Sequence, residues 1–226
     1  EGEGLQHDDG HSHVLASVIP SCVAYDPAYA YEIAVIVQDG MRRMYQEQED
    51  VFYYLTLINE KTAHPPMPAG AEEGILRGMY RLREGGEGAL RVQLLGSGAI
   101  LGEVLAAAEM LRQDFGVAAD VWSVTSYSEL GRDGQEAERW NRLHPLEEPR
   151  RGYAEAALAE SAGPVVAATD YMKTVPEQIR PFMAGRRYIT LGTDGFGRSD
   201  TRAALRAYFE VDRRHIAQAA LKALAD

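Results

Sequence analysis

The chain has 226 residues, of which 46% are hydrophobic and 25% charged, and its formal net charge is −11. This composition is typical of a globular protein with its own core, and the acidic balance argues against a general nucleic-acid or anionic-membrane binder, which needs a basic face. No run of 18 apolar residues predicts a membrane span, and the single cysteine, Cys22, excludes an internal disulfide and fits a reducing compartment. We therefore expect a cytoplasmic protein.

The opening stretch, EGEGLQHDDGHSH, contains three of the six histidines together with several carboxylates. His11 and His13 have the spacing of a chelate on a strand, but Gly10 interrupts the stretch and no second cluster accompanies it. We predict no metal site here, which leaves a solvated loop or an organic active site. Because the chain begins at Glu1 inside this stretch, we also expect a fragment or a processed product.

The first third of the chain predicts a strand, a helix and a second strand. Residues 14–24 are mainly apolar and indicate a buried strand interrupted at Pro20. Asp26 and Pro27 have the residue types of an N-cap and a first helical position, and apolar residues then recur at helical spacing, so we predict a helix over 27–46. The aromatic run at 50–59 predicts another buried strand.

A proline-rich segment follows, and beyond it strands alternate with helices. His64-Pro-Pro-Met-Pro68 excludes both a helix and a central strand, so we place the main domain boundary there. Alternation of strands and helices predicts an α/β fold with a mostly parallel sheet flanked by helices. The predicted elements are a strand, glycine turn and helix in RVQLLGSGAILGEVLAAAEML, strands at 118–124, 163–170 and 186–194, and helices near 175–183, 201–209 and 213–225.

Two glycine-containing turns are candidates for anion binding. LGSGAI (95–100) opens a helix after a strand, where backbone N–H groups could hold an anion. It lacks the third glycine of the dinucleotide fingerprint, and no acidic residue ends the next strand. TDGFG (193–197) has the same ambiguity. We predict ordinary turns at both places.

Several long segments together resemble a known family. They are GEGLQHDDGHSH, YDPAYAYEIAVIVQDGMRRMY, AEEGILRGMY, VQLLGSGAIL, SVTSYSELGRDGQEAERWNRLHP, ATDYMK and LGTDGFGRSD. These resemble the homodimeric bacterial pyruvate dehydrogenase first components, which are thiamine-diphosphate-dependent decarboxylases of the transketolase-like superfamily. The resemblance covers practically the whole chain. It implies that residues 1–65 close a thiamine pyrimidine-binding α/β domain and that residues 72–226 form a transketolase-type C-terminal domain.

The resemblance also implies roles for two residues of the opening stretch. His7 matches the active-site histidine of the family, a catalytic and substrate-binding residue, and Glu3 matches the glutamate that supports it. A carboxylate beside an imidazole can fix its tautomer and prepare it to donate a proton.

The family's cofactors are thiamine diphosphate and Mg²⁺, held by a Gly-Asp-Gly stretch that ends about thirty residues later in Asn-Asn. Neither motif occurs here, so we expect no cofactor-binding or metal-binding residue in this chain. We expect the chain to be inactive by itself.

The implied function is part of the oxidative decarboxylation of pyruvate, with transfer of the acetyl group to a lipoyl-bearing acetyltransferase. The implied partners are pyruvate, that acetyltransferase and a second copy of the chain, with no nucleic acid and no membrane. Two alternatives stay open. Residues 72–226 could be a non-catalytic dimerisation or assembly module, because they hold no polar cluster. A transketolase-type sugar enzyme is the other alternative, although GLQHDDGHSH and LHPLEEPR resemble the dehydrogenase component more closely.

Overall fold

The computed structural model describes residues 9–183 and 185–225. The described strands form two sheets. A parallel pair is made of β1 (Cys22–Tyr25) and β2 (Phe52–Leu55), and a five-stranded sheet has the order β3-β5-β4-β6-β7. The strands of the larger sheet are β3 (Met79–Arg83), β4 (Leu90–Gly96), β5 (Val117–Val124), β6 (Val165–Ala168) and β7 (Tyr188–Leu191).

The larger sheet is parallel except at its β3 edge, which pairs antiparallel with β5. The helices are α1 (Ser12–Ser17), α2 (Ala30–Met41), α3 (Glu72–Arg77), α4 (Leu101–Phe115), α5 (Tyr127–Leu143), α6 (Tyr153–Leu158), α7 (Thr174–Glu177), α8 (Arg202–Tyr208) and α9 (Arg213–Ala225). The predicted α/β class with a mostly parallel sheet is therefore confirmed.

The five-stranded sheet is covered by helices on both faces. Leu94 of β4 packs with Val104 of α4 and Ala220 of α9, whereas the next residue, Leu95, packs on the opposite face with Leu130 of α5. All five side chains are fully buried. Strands that are buried on both faces carry continuous apolar runs, and this is why the sequence identified them without an alternating pattern.

The strand predicted over 14–24 is wrong in its first half. The chain forms α1 there, and only Cys22–Tyr25 is a strand. The Asp9 carboxylate accepts hydrogen bonds from the N–H groups of His11 and Ser12, which holds the first helical turn in place. Leu15 is 67% exposed, so this apolar run is not a buried strand.

The helix predicted over 27–46 is present, but it begins later and a different residue caps its start. It starts at Ala30 and continues after Met41 as a π-helical turn over Arg42–Gln46. Asp26 does not cap it. The Glu32 carboxylate instead accepts hydrogen bonds from the backbone N–H groups of Ala28 and Tyr29, at 2.5 and 3.0 Å.

Glu32 also ties α2 to the larger sheet. Its carboxylate, fully buried, accepts hydrogen bonds from the Tyr80 hydroxyl of β3 (2.7 Å) and the Ser123 hydroxyl of β5 (2.6 Å). Residues 56–71, which include the proline-rich segment, form no helix or strand. The first part of the chain is thus held against the β3–β5 side of the sheet by buried polar contacts.

Candidate functional site

The candidate site lies at the carboxyl edge of the five-stranded sheet. From β4 the chain crosses over to β5 on one side, and from β6 it crosses over to β7 on the other, so β4 and β6 meet at the switch point of the sheet. Ser97 follows β4 and Thr169 follows β6, and their buried hydroxyl oxygens lie 3.0 Å apart. In open α/β sheets this crevice is where ligands bind.

A carboxyl group of the same chain fills the crevice. Asp26, which directly follows β1, donates its backbone N–H to Thr125 O (2.7 Å) and accepts at its own carbonyl oxygen from Gly98 N–H (3.2 Å). A Cβ atom on Gly98 would lie 2.5 Å from both carboxylate oxygens of Asp26. The mouth of the turn in LGSGAI is therefore occupied by a carboxylate, which would repel a phosphate group.

Asp26 is held in an electrostatically unfavourable place. It is 8% exposed, and its Oδ1 accepts a hydrogen bond from the Thr56 hydroxyl at 2.8 Å. Burial raises the pKa of the Asp26 carboxyl to about 7, although the hydroxyl groups of Thr56 and Ser97 lower it, and the charges of Asp170 and Glu32 add to the rise. A carboxyl group with this pKa exchanges its proton near neutral pH.

His13 extends this polar contact toward the opening stretch. Its Nε2 lies 3.0 Å from Thr56 Oγ1. Because the Thr56 hydroxyl donates to Asp26, it accepts from His13, and this assigns the proton to Nε2. The ring packs edge-on against Tyr54 and Tyr171, and burial lowers the pKa of His13 to about 4. His13 is therefore neutral at neutral pH and fixes the loop by packing.

A cleft of about 650 Å³ opens beside the filled crevice. Its walls come from the opening stretch, the segment after β2, the turns after β6 and β7, and α8. Charged groups of both signs line it: Asp9, Glu60, Asp170, Arg198, Arg202 and Arg206.

Two arginines on successive turns of α8 hold one wall of the cleft. Arg206 Nη2 lies 2.7 Å from the Glu60 carboxylate, and Arg202 donates to Asn59 Oδ1, also at 2.7 Å. Arg206 lies 3.5 Å from Glu103 as well, and is only 16% exposed. The wall is thus a network of ion pairs rather than a row of free cations.

We expect Arg206→Met to lower the free energy of unfolding by about 1–2 kcal/mol, because it leaves two half-buried carboxylates without this partner. Urea unfolding monitored by circular dichroism measures the change. Arg112→Met is the control: it removes an ion pair with Glu109 on the solvent-exposed side of α4, and we expect it to leave stability unchanged. Equal effects of the two substitutions would contradict this account of the wall.

The residues predicted from sequence as the site, His7 and Glu3, lie outside the described residues. The described chain begins two positions after His7, at Asp9, and Asp9 and His11 line the cleft. Sequence reasoning missed Asp26, which it interpreted as a helix cap, and Asp170. Asp26 directly follows the buried strand β1, in CVAYDP, and Asp170 is the second residue after the buried strand β6, in VVAATD. A carboxylate after a buried parallel strand was the signal that could have found them.

Within residues 9–183 and 185–225, no group of three or more His, Cys, Asp or Glu side chains could hold a metal ion. None of the helices in these ranges is long and apolar enough to cross a membrane.

Comparisons with known families match the chain in two parts. Residues 1–65 match the model of the pyruvate dehydrogenase E1 component middle domain. Residues 78–212 match the model of the transketolase-like TK C-terminal domain.

Curated relatives match along the whole chain. The pyruvate dehydrogenase E1 component of Pseudomonas aeruginosa is 60% identical over 226 residues, which are 100% of this chain and 26% of that protein. The E1 component of Escherichia coli strain K12 is 57% identical over 227 residues, covering 99% of this chain and 25% of that protein. The chain thus spans about a quarter of the length of the curated relatives that it matches.

Solved structures of transketolases share the fold. The transketolase from Leishmania mexicana superposes with a TM-score of 0.64 at 17% identity, covering 98% of this chain and 28% of that one. A split-gene transketolase described as an inactive beta4 tetramer has a TM-score of 0.61 at 18% identity, covering 98% of this chain and 64% of that one. At these identities the likeness concerns the fold alone.

Proposed function

The chain belongs to the family of transketolase-like C-terminal domains, and we propose that it is part of a pyruvate dehydrogenase E1 component. In this proposal the complete protein decarboxylates pyruvate oxidatively and passes the acetyl group to a lipoyl group on an acetyltransferase. The observation that carries the proposal is the similarity to E1 components over the entire chain, including the opening stretch with Glu3 and His7.

The two parts of the chain have different tasks in this proposal. Residues 1–65 are the end of the pyrimidine-binding domain and bring His7 and Glu3 to the active site. Residues 72–226 are the C-terminal domain. The contacts of Asp26 with Thr125 and Gly98, and of Glu32 with Ser123, support the view that the second part holds the first in position.

Thiamine diphosphate and Mg²⁺ are the proposed cofactors of the complete protein. When bound, the thiamine group supplies the electron sink that a decarboxylation of a 2-oxo acid needs. Two observations support placing their site elsewhere in that protein: the carboxylate of Asp26 fills the turn in LGSGAI and would repel a diphosphate there, and within the described residues no group of three or more His, Cys, Asp or Glu side chains could hold the metal. We therefore propose that the part of the complete protein outside these 226 residues holds the diphosphate and the metal.

His7 is the residue of this chain that we propose acts on substrate. A neutral or protonated imidazole can donate a proton to an oxygen of the substrate without the permanent charge of an arginine. Glu3 is proposed to hold the His7 ring in one orientation and to favour its protonated form. His11 and His13 are given no chemical task.

We expect His7→Ala in the complete protein to lower kcat for acetyl transfer from pyruvate by about 10²-fold, because general acid catalysis typically contributes that much or more. The measurement is steady-state acetyl transfer to a lipoyl domain. His215→Ala is the control, since His215 lies on α9 and does not line the cleft, and its kcat should stay within about twofold of wild type. If both variants keep the wild-type kcat, the assignment of His7 is wrong.

Substrate choice separates this proposal from a transketolase-type activity. The complete protein, supplied with thiamine diphosphate and Mg²⁺, should release carbon dioxide from pyruvate and should not transfer a two-carbon unit from a ketose phosphate. The reverse result would establish a sugar enzyme and overturn the proposal.

We also propose that the complete protein is a cytoplasmic homodimer. The single cysteine supports a reducing compartment. Light scattering after size exclusion tests the dimer, and a monomeric complete protein with full activity would contradict it. A monomer would also count against the alternative that residues 72–226 serve only as a dimerisation module.

A further inference from the structure

A second, small cavity is also lined by Asp26. Its volume is about 10 Å³. It lies between the end of β1 and the first turn of α5, and Asp26, Ser97, Ser126 and Tyr127 contribute to its lining. A cavity of this size accommodates about one water molecule.

Two buried polar atoms among the residues that line this cavity have no hydrogen-bond partner in the described part of the chain. They are Asp26 Oδ2 and Tyr127 Oη. Asp26 is 8% exposed and Tyr127 is 4% exposed. Leaving either atom unpaired would cost about 1–3 kcal/mol, so native proteins rarely do so.

The two residues line the same cavity, and their unpaired atoms do not hydrogen-bond to each other. Burial, and next the charge of Asp26, raise the pKa of the Tyr127 hydroxyl. In the ionised form of Asp26, Oδ1 accepts from Thr56, so Oδ2 is the atom that lacks a donor. Tyr127 can either donate or accept one hydrogen bond at its hydroxyl.

We propose that this cavity is a binding site for a single water molecule, which donates to Asp26 Oδ2 and accepts from the Tyr127 hydroxyl. The water is a neutral ligand, held by Asp26 Oδ2 as acceptor and by the Tyr127 hydroxyl as donor. It completes a buried polar chain that runs from His13 through Thr56, Asp26 and the water to Tyr127. The chain connects α1, the segment after β2, the end of β1 and α5, which belong to both parts of the molecule.

A crystal structure of the full chain tests the site directly. One isolated density peak is expected within about 2.6–3.2 Å of both Asp26 Oδ2 and Tyr127 Oη. The same crystal soaked in rubidium chloride should give no anomalous peak at this position. An anomalous peak would show a cation site and overturn the proposal, and so would the absence of density in the cavity.

Thermal unfolding of the full chain gives an independent measure in solution. We expect Tyr127→Phe to lower Tm by about 2–4 °C, because it removes a hydroxyl that is paired through the water. Tyr188→Phe is the control: it removes a buried hydroxyl that donates directly to Pro176 O at 2.7 Å, and its Tm should fall by a similar amount. If Tm rises or stays unchanged in Tyr127→Phe while it falls in the control, the Tyr127 hydroxyl is unpaired and the proposal fails.

Discussion

Replacing Gly98 by alanine is expected to lower the free energy of unfolding by about 2–5 kcal/mol. Gly98 has a φ of +44°, which L side chains rarely adopt, and a Cβ there would lie 2.5 Å from both oxygens of the Asp26 carboxylate. The substitution therefore combines backbone strain of about 1–2 kcal/mol with overpacking of about 1–3 kcal/mol. Urea unfolding of the full chain measures the sum.

Gly116→Ala separates the two contributions. Gly98 lies in the turn just before α4, whereas Gly116 lies just after this helix with a φ of +64°, and a Cβ there would have no neighbour within 4 Å. We expect it to cost only the backbone strain. Asp26→Ala should restore part of the loss in Gly98→Ala, because it removes the carboxylate that the new Cβ meets. Equal costs for Gly98→Ala and Gly116→Ala would contradict the contact between Asp26 and the turn.

The second large effect concerns pH. The pKa of Asp26, raised to about 7 by burial, lies above the value of about 3.9 for the unfolded chain. Its contribution to stability is fully present below pH 4 and is lost as pH rises toward 7. We expect Asp26→Asn to remove this dependence, so that the stability of the variant relative to wild type rises by about 4 kcal/mol between pH 4 and pH 8.

Asp120→Asn serves as a control with the opposite sign. Burial alone would raise the pKa of Asp120, but hydrogen bonds from the Gly85 N–H, the Gln93 amide and Arg91 lower it. Its contribution is present above the unfolded pKa and is lost as pH falls through the folded pKa. Relative to wild type, this variant should therefore lose stability as pH rises. Urea unfolding at closely spaced pH values records both series, and a flat difference for Asp26→Asn would refute the raised pKa.

Local patterns were sufficient for the four parallel strands of the larger sheet, β4 to β7, but they did not predict its antiparallel edge strand, β3. The strand, glycine turn and helix from β4 to α4 follow from an apolar run, a turn residue and apolar residues at helical spacing, all within one continuous stretch. The capping of α9 by Asp212 was also predictable, because the Asp212 carboxylate accepts from His215 N–H three residues later. Such interactions join residues that are close in sequence, so the sequence alone predicts them.

Contacts between distant segments account for what could not be predicted. Asp26 has the residue type and position of a helix cap, yet its partners are Thr56 and Gly98, which only the folded chain brings to it. Residues 14–24 form an apolar run whose length fits a strand or a short helix. The hydrogen bonds that the Asp9 carboxylate accepts from the N–H groups of His11 and Ser12 favour the helix. The predicted elements did not include α5, a mainly polar helix with two glycines, although Ser126 caps it.

The most direct test of the central claim is the release of labelled carbon dioxide from pyruvate that carries the label in its carboxyl carbon. The complete protein is used in excess over pyruvate, with thiamine diphosphate and Mg²⁺, so that a single turnover is followed. The proposed function predicts release of the label by wild type and a release at least about ten times slower in His7→Ala. Failure of wild type to release label from pyruvate, or an unchanged rate in His7→Ala, would contradict it.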